Sequence, residues 1–103
     1  MNNVKYTLYI GKTDKSKTFI ESLINELTIQ CGGVTIYDTI GTFKDEGTEN
    51  IYHDNTSVIE CIAPYWAEVR ILELIKQCES DNISGELCIA FTKQPIEFDL
   101  IYL

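Results

Sequence analysis

The sequence predicts an α+β domain of ferredoxin-like type: a βαββαβ split sandwich with one antiparallel sheet and two helices on one face. Two kinds of periodicity point to it. Apolar residues alternate with period two at 4–10 and 86–92, strand-like runs at 34–43 and 51–62 pair as a hairpin, and apolar residues recur at helical spacing in two other stretches. The order of those stretches is β-α-β-β-α-β, and Gly32-Gly33, the run DEGTEN and Pro64 mark the junctions. Residues 1–103 make a single domain at this length. A chain of this size buries roughly 65% of its extended surface, enough for a two-layer core.

The first strand is read at residues 4–10, with Val4, Tyr6, Leu8 and Ile10 on one face and Lys5, Thr7 and Tyr9 on the other. Thr18 and Glu21 have the spacing of a capping box, so the first helix is expected to open at Thr18. Ile20, Leu23, Ile24, Leu27 and Cys31 then form its apolar stripe. Gly32-Gly33 ends it through a left-handed cap. Residues 34–43 read as a second strand with Gly41 as a candidate bulge, Asp45–Asn50 as a turn, and residues 51–62 as the returning strand of a hairpin.

Pro64 suits the first turn of a second helix, expected at 65–78 with Trp66, Val69, Leu72 and Ile75 facing inward. Asp81–Gly85 reads as a loop, and Glu86–Thr92 as a strand whose Leu87, Ile89 and Phe91 face the core. Residues 94–103 are surplus to the fold. Ile96, Phe98, Leu100 and Tyr102 alternate with Glu97 and Asp99 as an extra strand or tail would. A segment this apolar calls for cover, from the sheet's own edge or from another subunit. Tyr9, Tyr37, Val58 and Ile62 fall on the helix-free face, which points the same way. A homo-oligomer is the expected state, with a monomer shielded by long side chains such as Lys5 as the alternative.

Charge and cysteine usage remove several function classes. The formal net charge is −8, which repels nucleic acid and anionic membranes. No apolar run reaches the roughly 20 residues of a membrane span. The N-terminus, MNNVKYT, has no basic region leading into an apolar stretch, so a cytoplasmic protein is expected. Cys31, Cys61, Cys78 and Cys88 fit no zinc spacing and read as small buried apolar residues rather than disulfides. His53 stands alone as the single histidine, with no Ser-His-Asp partners evident. No metal set, nucleophile–base pair or cofactor fingerprint is present, which makes an enzyme the weakest class.

Two charged clusters remain. Residues 11–18, GKTDKSKT, follow a strand and precede a helix as a phosphate loop does. A true P-loop needs a glycine where Tyr6 stands, so this is no Walker motif. Lys12, Lys15 and Lys17 nonetheless gather beside a helix N-terminus, where free amides around Thr18 favour anions. A solvated basic loop is the plain alternative. Tyr9, Tyr37 and Trp66 are the aromatic candidates for base or ribose contacts. The second cluster, Asp45, Glu46, Glu49 and Asp54, surrounds the hairpin turn and lacks calcium-loop spacing. It offers an acidic surface to a basic protein partner, or is simply a solvated turn.

The motifs YTLYIG at Tyr6–Gly11, Gly32-Gly33 and VTIYDTIGTFKDEG at Val34–Gly47 resemble a group of small uncharacterised ferredoxin-like proteins of bacteria and their phages. The likeness covers most of residues 6–62 and assigns no catalytic residue. It implies a setting, in which short acidic phage-type proteins bind a host defence protein or sequester a nucleotide-derived immune signal. Three readings follow: a non-enzymatic trap for such a nucleotide at the lysine cluster, an acidic inhibitor of a host nuclease or effector, and a ferredoxin-like housekeeping subunit or small enzyme.

Overall fold

The computed structural model describes residues 3–82 and 89–103. Four strands, β1 (Asn3–Gly11), β2 (Thr35–Lys44), β3 (Ile51–Pro64) and β4 (Ile89–Pro95), and two helices, α1 (Lys17–Cys31) and α2 (Glu68–Asn82), follow one another in the expected order. The strands form one antiparallel sheet in the order β2-β3-β1-β4. This is the ferredoxin-like α+β architecture.

Strand period places the core. Tyr6, Leu8 and Ile10 on β1 share a face with Ile59, Cys61 and Ala63 on β3, and all six are buried. Phe19, Ile20, Leu23 and Leu27 of α1 and Ile71, Leu74 and Cys78 of α2 close over that face. The Tyr6 ring stacks on Phe91 of β4 at 5.9 Å, and its hydroxyl donates to the carbonyls of Pro64 and Tyr65, both at 3.1 Å. A buried phenol thereby keeps its polar end satisfied. Burial, first, pushes that phenol above its ordinary pKa, with the Glu68 carboxylate adding to the effect.

Several expectations change. Helix α1 opens at Lys17, one residue before Thr18, and no Thr18–Glu21 capping box forms. A reciprocal pair of that kind lies five residues earlier, at Thr13 and Ser16. The Thr13 amide donates to Ser16 Oγ at 2.9 Å, and the Ser16 amide donates to Thr13 Oγ1 at 3.1 Å. Gly32 does end α1 in the left-handed region, φ 85°, which an alanine would enter at a cost of about 1 kcal/mol. Gly41 makes no bulge, because pairing with β3 runs unbroken from Thr35↔Glu60 to Lys44↔Ile51. A Cβ at Gly41 would lie 3.1 Å from Thr56 Oγ1, which explains the glycine as close approach.

Pro64 ends β3 instead of starting a helix, and a 3-10 turn at Tyr65–Ala67 precedes α2. The inner face of α2 is Ile71, Leu74 and Cys78, with Ile75 partly buried; Trp66, Val69 and Leu72 are exposed. Positions taken every three residues drift around a helix of 3.6 residues per turn, so 66 and 75 lie about 180° apart. The expected loop at Asp81–Gly85 is helical at its first two residues. Its remainder lies outside the described residues, as do Leu87 and Cys88. Ile89 and Phe91 pack against the core as expected.

Residues 96–103 form no fifth strand. The Ile96 amide donates to the Asn3 carbonyl at 3.1 Å, and beyond it the tail is irregular. Phe98 and Leu100 line a cleft with Lys5, Glu60 and Ile62, which stand on the helix-free face. The tail therefore lies at one end of the open sheet face of its own chain.

The β2–β3 hairpin outruns β1. The pairing of β1 with β3 ends at Gly11↔Thr56, while residues 40–44 and 51–55 continue as a two-stranded arm of about 17 Å. The radius of gyration, 15.0 Å, exceeds the roughly 13 Å of a compact chain this long, consistent with that projection.

Candidate functional site

The segment after β1 is held in place by its own short polar side chains. The Lys12 amide donates to the Asn55 carbonyl at 2.8 Å, prolonging the β1–β3 ladder by one bond. Ser16 is almost wholly buried, and its hydroxyl lies 2.8 Å from the Gly11 carbonyl and 3.2 Å from that of Thr13. The Ser16 carbonyl then accepts from the Ile20 amide, starting α1. Loop 12–16 is thus a closed, hydrogen-bonded turn whose lysines point outward from a fixed frame.

That frame forms one side of a cleft of about 500 Å³. Lys12, Thr13, Asp14 and Lys17 stand on the loop side, and Ile20, Glu21 and Ile24 come from the first turns of α1. Ile36 and Asp38 of β2 and Asn55 and Ser57 of β3 form the sheet side, all at register positions on the helix-bearing face. Lys12 Nζ meets Asp38 Oδ2 at 3.2 Å, and Ser57 Oγ donates to Asp38 Oδ1 at 3.1 Å. The hydrogen bonds from Lys12, first, and from Ser57 hold the Asp38 carboxyl below its ordinary value. Two ammonium groups and three carboxylates line the cleft beside three isoleucines. A bare polyanion is poorly matched to that balance. An apolar ring bearing an anionic group and neutral hydrogen-bonding groups is well matched.

The expected ligand-binding residues separate into groups. Lys12 and Lys17 are in the cleft, whereas Lys15 and Thr18 are exposed and outside its lining. Tyr9 and Tyr37 stand on the opposite, helix-free face, flanking Val58. The Tyr37 hydroxyl donates to Glu60 Oε2 at 3.2 Å. Desolvation and the Glu60 carboxylate, in that order, push it above its ordinary pKa. Trp66 stands two residues after Pro64, the partner of Asn3, and so lies at the far end of β1 from Lys12, roughly 30 Å of strand away. Its exposed ring stacks against Tyr65. The cleft's apolar surface comes instead from Ile20, Ile24 and Ile36. Its polar floor comes from Asp38, Asn55 and Ser57, and of these only position in the hairpin alternation gave a signal.

The acidic cluster also divides. Asp45, Glu46 and Glu49 sit at the tip of the projecting arm, where Lys44 pairs with Glu49 at 3.1 Å and Thr48 Oγ1 lies 3.1 Å from Asp45 Oδ2. Asp54 lies on the arm itself, opposite Gly41. His53 is exposed on the arm, across from Thr42. Among the described residues, no group of three or more His, Cys, Asp or Glu side chains is placed to hold a metal ion. No described helix is long and apolar enough to cross a membrane.

Fold and cleft together define a small ferredoxin-like α+β domain with a mixed-charge pocket beside its first helix. No protein-family model matches the chain, and no characterised protein matches it in sequence. Solved structures do match. A DUF3240 family protein from Shewanella baltica is 14% identical over the whole of both chains, with a TM-score of 0.59. The periplasmic divalent cation tolerance protein CutA from Archaeoglobus fulgidus is 17% identical, with a TM-score of 0.60, over 93% of this chain and 87% of that one. GlnK of B. subtilis, solved in complex with ATP, is 12% identical, with a TM-score of 0.55, over 89% of this chain and 81% of that one. At such identities the likeness is one of fold.

Proposed function

We propose that this protein is a non-enzymatic binding protein that holds a nucleotide-derived small molecule in the cleft between loop 12–16, α1 and β2–β3. The single observation behind the proposal is that cleft: a 500 Å³ space in which Lys12 and Lys17 flank an isoleucine wall and a polar floor. Lys12 and Lys17 take the phosphate, Ile20, Ile24 and Ile36 cover the base, and Asp38, Asn55 and Ser57 accept or donate to ribose hydroxyls. The three carboxylates favour a ligand with few phosphates. A fold shared with a protein solved in complex with ATP is in keeping with this reading. Sequestration of a nucleotide messenger by a phage-type protein acting on host immunity is the setting that the sequence resemblance suggests for it.

The test is direct. The native protein is incubated with cyclic and ADP-ribose-type nucleotides, desalted and heat-denatured, and the supernatant is analysed by mass spectrometry. Recovery of one intact nucleotide supports a trap, and recovery of a changed nucleotide replaces it with an enzyme. The projecting acidic arm favours a second reading, an inhibitor of a basic host protein. That reading expects no nucleotide, and a co-purifying protein that is lost when Asp45, Glu46 and Glu49 are neutralised.

We also infer that the protein assembles with copies of itself. Tyr9, Tyr37 and Tyr52 are only half covered on the open sheet face, and Leu100, Ile101, Tyr102 and Leu103 are largely exposed. Light scattering is expected to give at least a dimer mass at micromolar concentration. Ile101→Ser with Leu103→Ser shifts it toward the monomer.

A further inference from the structure

Among the described residues the outer strands of the sheet are β2 and β4. The phase of the ladders fixes what each turns outward, because hydrogen-bonded and non-hydrogen-bonded pairs alternate along antiparallel strands. The Asp45 amide donates to the Asn50 carbonyl at 3.0 Å, one step beyond the pair Lys44↔Ile51. Residues 35, 37, 39, 41 and 43 therefore bond to β3, while Ile36, Asp38, Ile40, Thr42 and Lys44 turn their N–H and C=O groups away from it. The bond from the Lys12 amide to the Asn55 carbonyl gives the same phase from the other side of β3. On β4 the bond from the Ile96 amide to the Asn3 carbonyl sets Ile89, Phe91, Lys93 and Pro95 as the outward residues.

The two edges differ in kind. Strand β4 is seven residues long, Pro95 has no N–H to offer, and Lys93 pairs with Glu68 at 2.6 Å. Shortness, proline and lysine are devices by which a sheet edge avoids a partner. Strand β2 is ten residues long, with no proline and no bulge. Every residue from Thr35 to Ile40 is exposed, including Ile36 and Ile40 on one face and Tyr37 on the other. We propose that the free edge of β2 pairs with the β2 edge of a second copy of this chain, antiparallel about a two-fold axis, joining two four-stranded sheets into one. The inference rests on the reading that the protein assembles with itself, and it names the surface.

Charge selects the register. The two charged residues on the outward positions, Asp38 and Lys44, are opposite in sign. With the axis at Gly41, Asp38 faces the partner's Lys44 and Ile40 faces the partner's Thr42. Both ion pairs then attract, as opposite charges across a ladder do, and the four facing pairs give about eight backbone hydrogen bonds. Gly41 meets its own copy at the axis with no side chain between. The same register brings the partner's Lys44 beside Asp38, on the polar floor of the cleft next to Lys12.

The test reads amide hydrogen exchange by NMR on the full chain, together with light scattering. The amides of Asp38, Ile40 and Thr42 are expected to exchange as slowly as those of Tyr37, Thr39 and Gly41, at least roughly tenfold slower than a free edge allows. Thr42→Pro removes one outward N–H and no bond between β2 and β3, so it is expected to keep the thermal midpoint and halve the scattering mass. Fast exchange at Asp38, Ile40 and Thr42 beside slow exchange at their neighbours overturns the proposal even where the mass is that of an oligomer, and assembly through the tail and open face then stands without it. Slow exchange at Ile89, Phe91 and Lys93 as well makes the contact a head-to-tail one between β2 and β4, which overturns the two-fold pairing. A monomer mass for the wild-type protein overturns both readings. The wild-type exchange pattern decides the matter even where Thr42→Pro fails to fold.

Discussion

Phe19→Ala is expected to lower the unfolding free energy by about 3–5 kcal/mol, read as a lower urea midpoint with an unchanged slope. The size of the loss follows from position. Phe19 is fully buried in the first turn of α1, between the Ser16 turn and the core formed with Ile10, Leu23 and Ile59. Truncation there removes apolar contacts and leaves a void that a helix pinned at both ends cannot fill. A domain of this size has a total stability of about 5–15 kcal/mol, so the variant is largely unfolded on warming. Because residues 12–16 are attached to the same turn, the Lys12 cleft is expected to be lost with it. Two leucines on α2 give the control. Leu74→Ala, at a buried position, is expected to cost about 2–5 kcal/mol. Leu72→Ala, two residues earlier and on the exposed side, is expected to cost well under half of that. Equal losses at the two leucines would return α2 to the face that spacing from Trp66 suggested.

That contrast shows what the sequence made legible. Strand period two is unambiguous in VKYTLYI, and the Tyr6, Leu8 and Ile10 face is buried as the alternation requires. The left-handed cap at Gly32 was legible because only glycine enters that conformation cheaply. Helix α2 was harder because apolar residues lie all round it, and an arithmetic run of threes looks like a face over one turn and rotates away over three. The Thr13–Ser16 bracket was hidden by its chemistry. Serine at the third position can close the turn as glutamate does, yet the usual capping signature asks for Glu or Gln, and Thr18–Glu21 supplied one nearby. The site was half legible. Lys12 and Lys17 stand out as cations in an acidic chain, but Asp38, Asn55 and Ser57 are ordinary strand residues until the hairpin register sets them on the helix side. Tyr9 and Tyr37, expected beside the lysines, are set apart from them by the same rule. Odd positions on β1 and β2 share the open face, and the sheet itself separates them from the cleft.

Lys12→Ala with Lys17→Ala is expected to weaken nucleotide binding by about two to four orders of magnitude while leaving the thermal midpoint close to that of the parent protein. In the proposed complex each lysine would give a charge-assisted hydrogen bond to phosphate, at about 1.5–3 kcal/mol. Neither contributes to the core. Titration calorimetry against the nucleotide recovered from the native protein measures the loss. A loss of less than tenfold would show that the ligand sits elsewhere. The Asp38 carboxylate allows a change in the opposite direction. It pairs with Lys12 at 3.2 Å, so a phosphate bound there competes with it. Asp38→Asn keeps an acceptor for Ser57 and removes the competing charge, and is expected to tighten binding several-fold, more so for ligands with more phosphates. The pH dependence follows with its sign. The Asp38 carboxyl lies below its ordinary value in the folded protein, so its pairing with Lys12 is fully present above the ordinary carboxylate value. That pairing is lost only as pH falls through the lowered value. Near neutrality Asp38 stays charged, and only the substitution relieves the competition. Tighter binding in Asp38→Asn together with weaker binding in the double lysine variant places the phosphate at Lys12. Weaker binding in both would instead make Asp38 a direct partner of the ligand's hydroxyl or amino groups, and would move the phosphate toward Lys17.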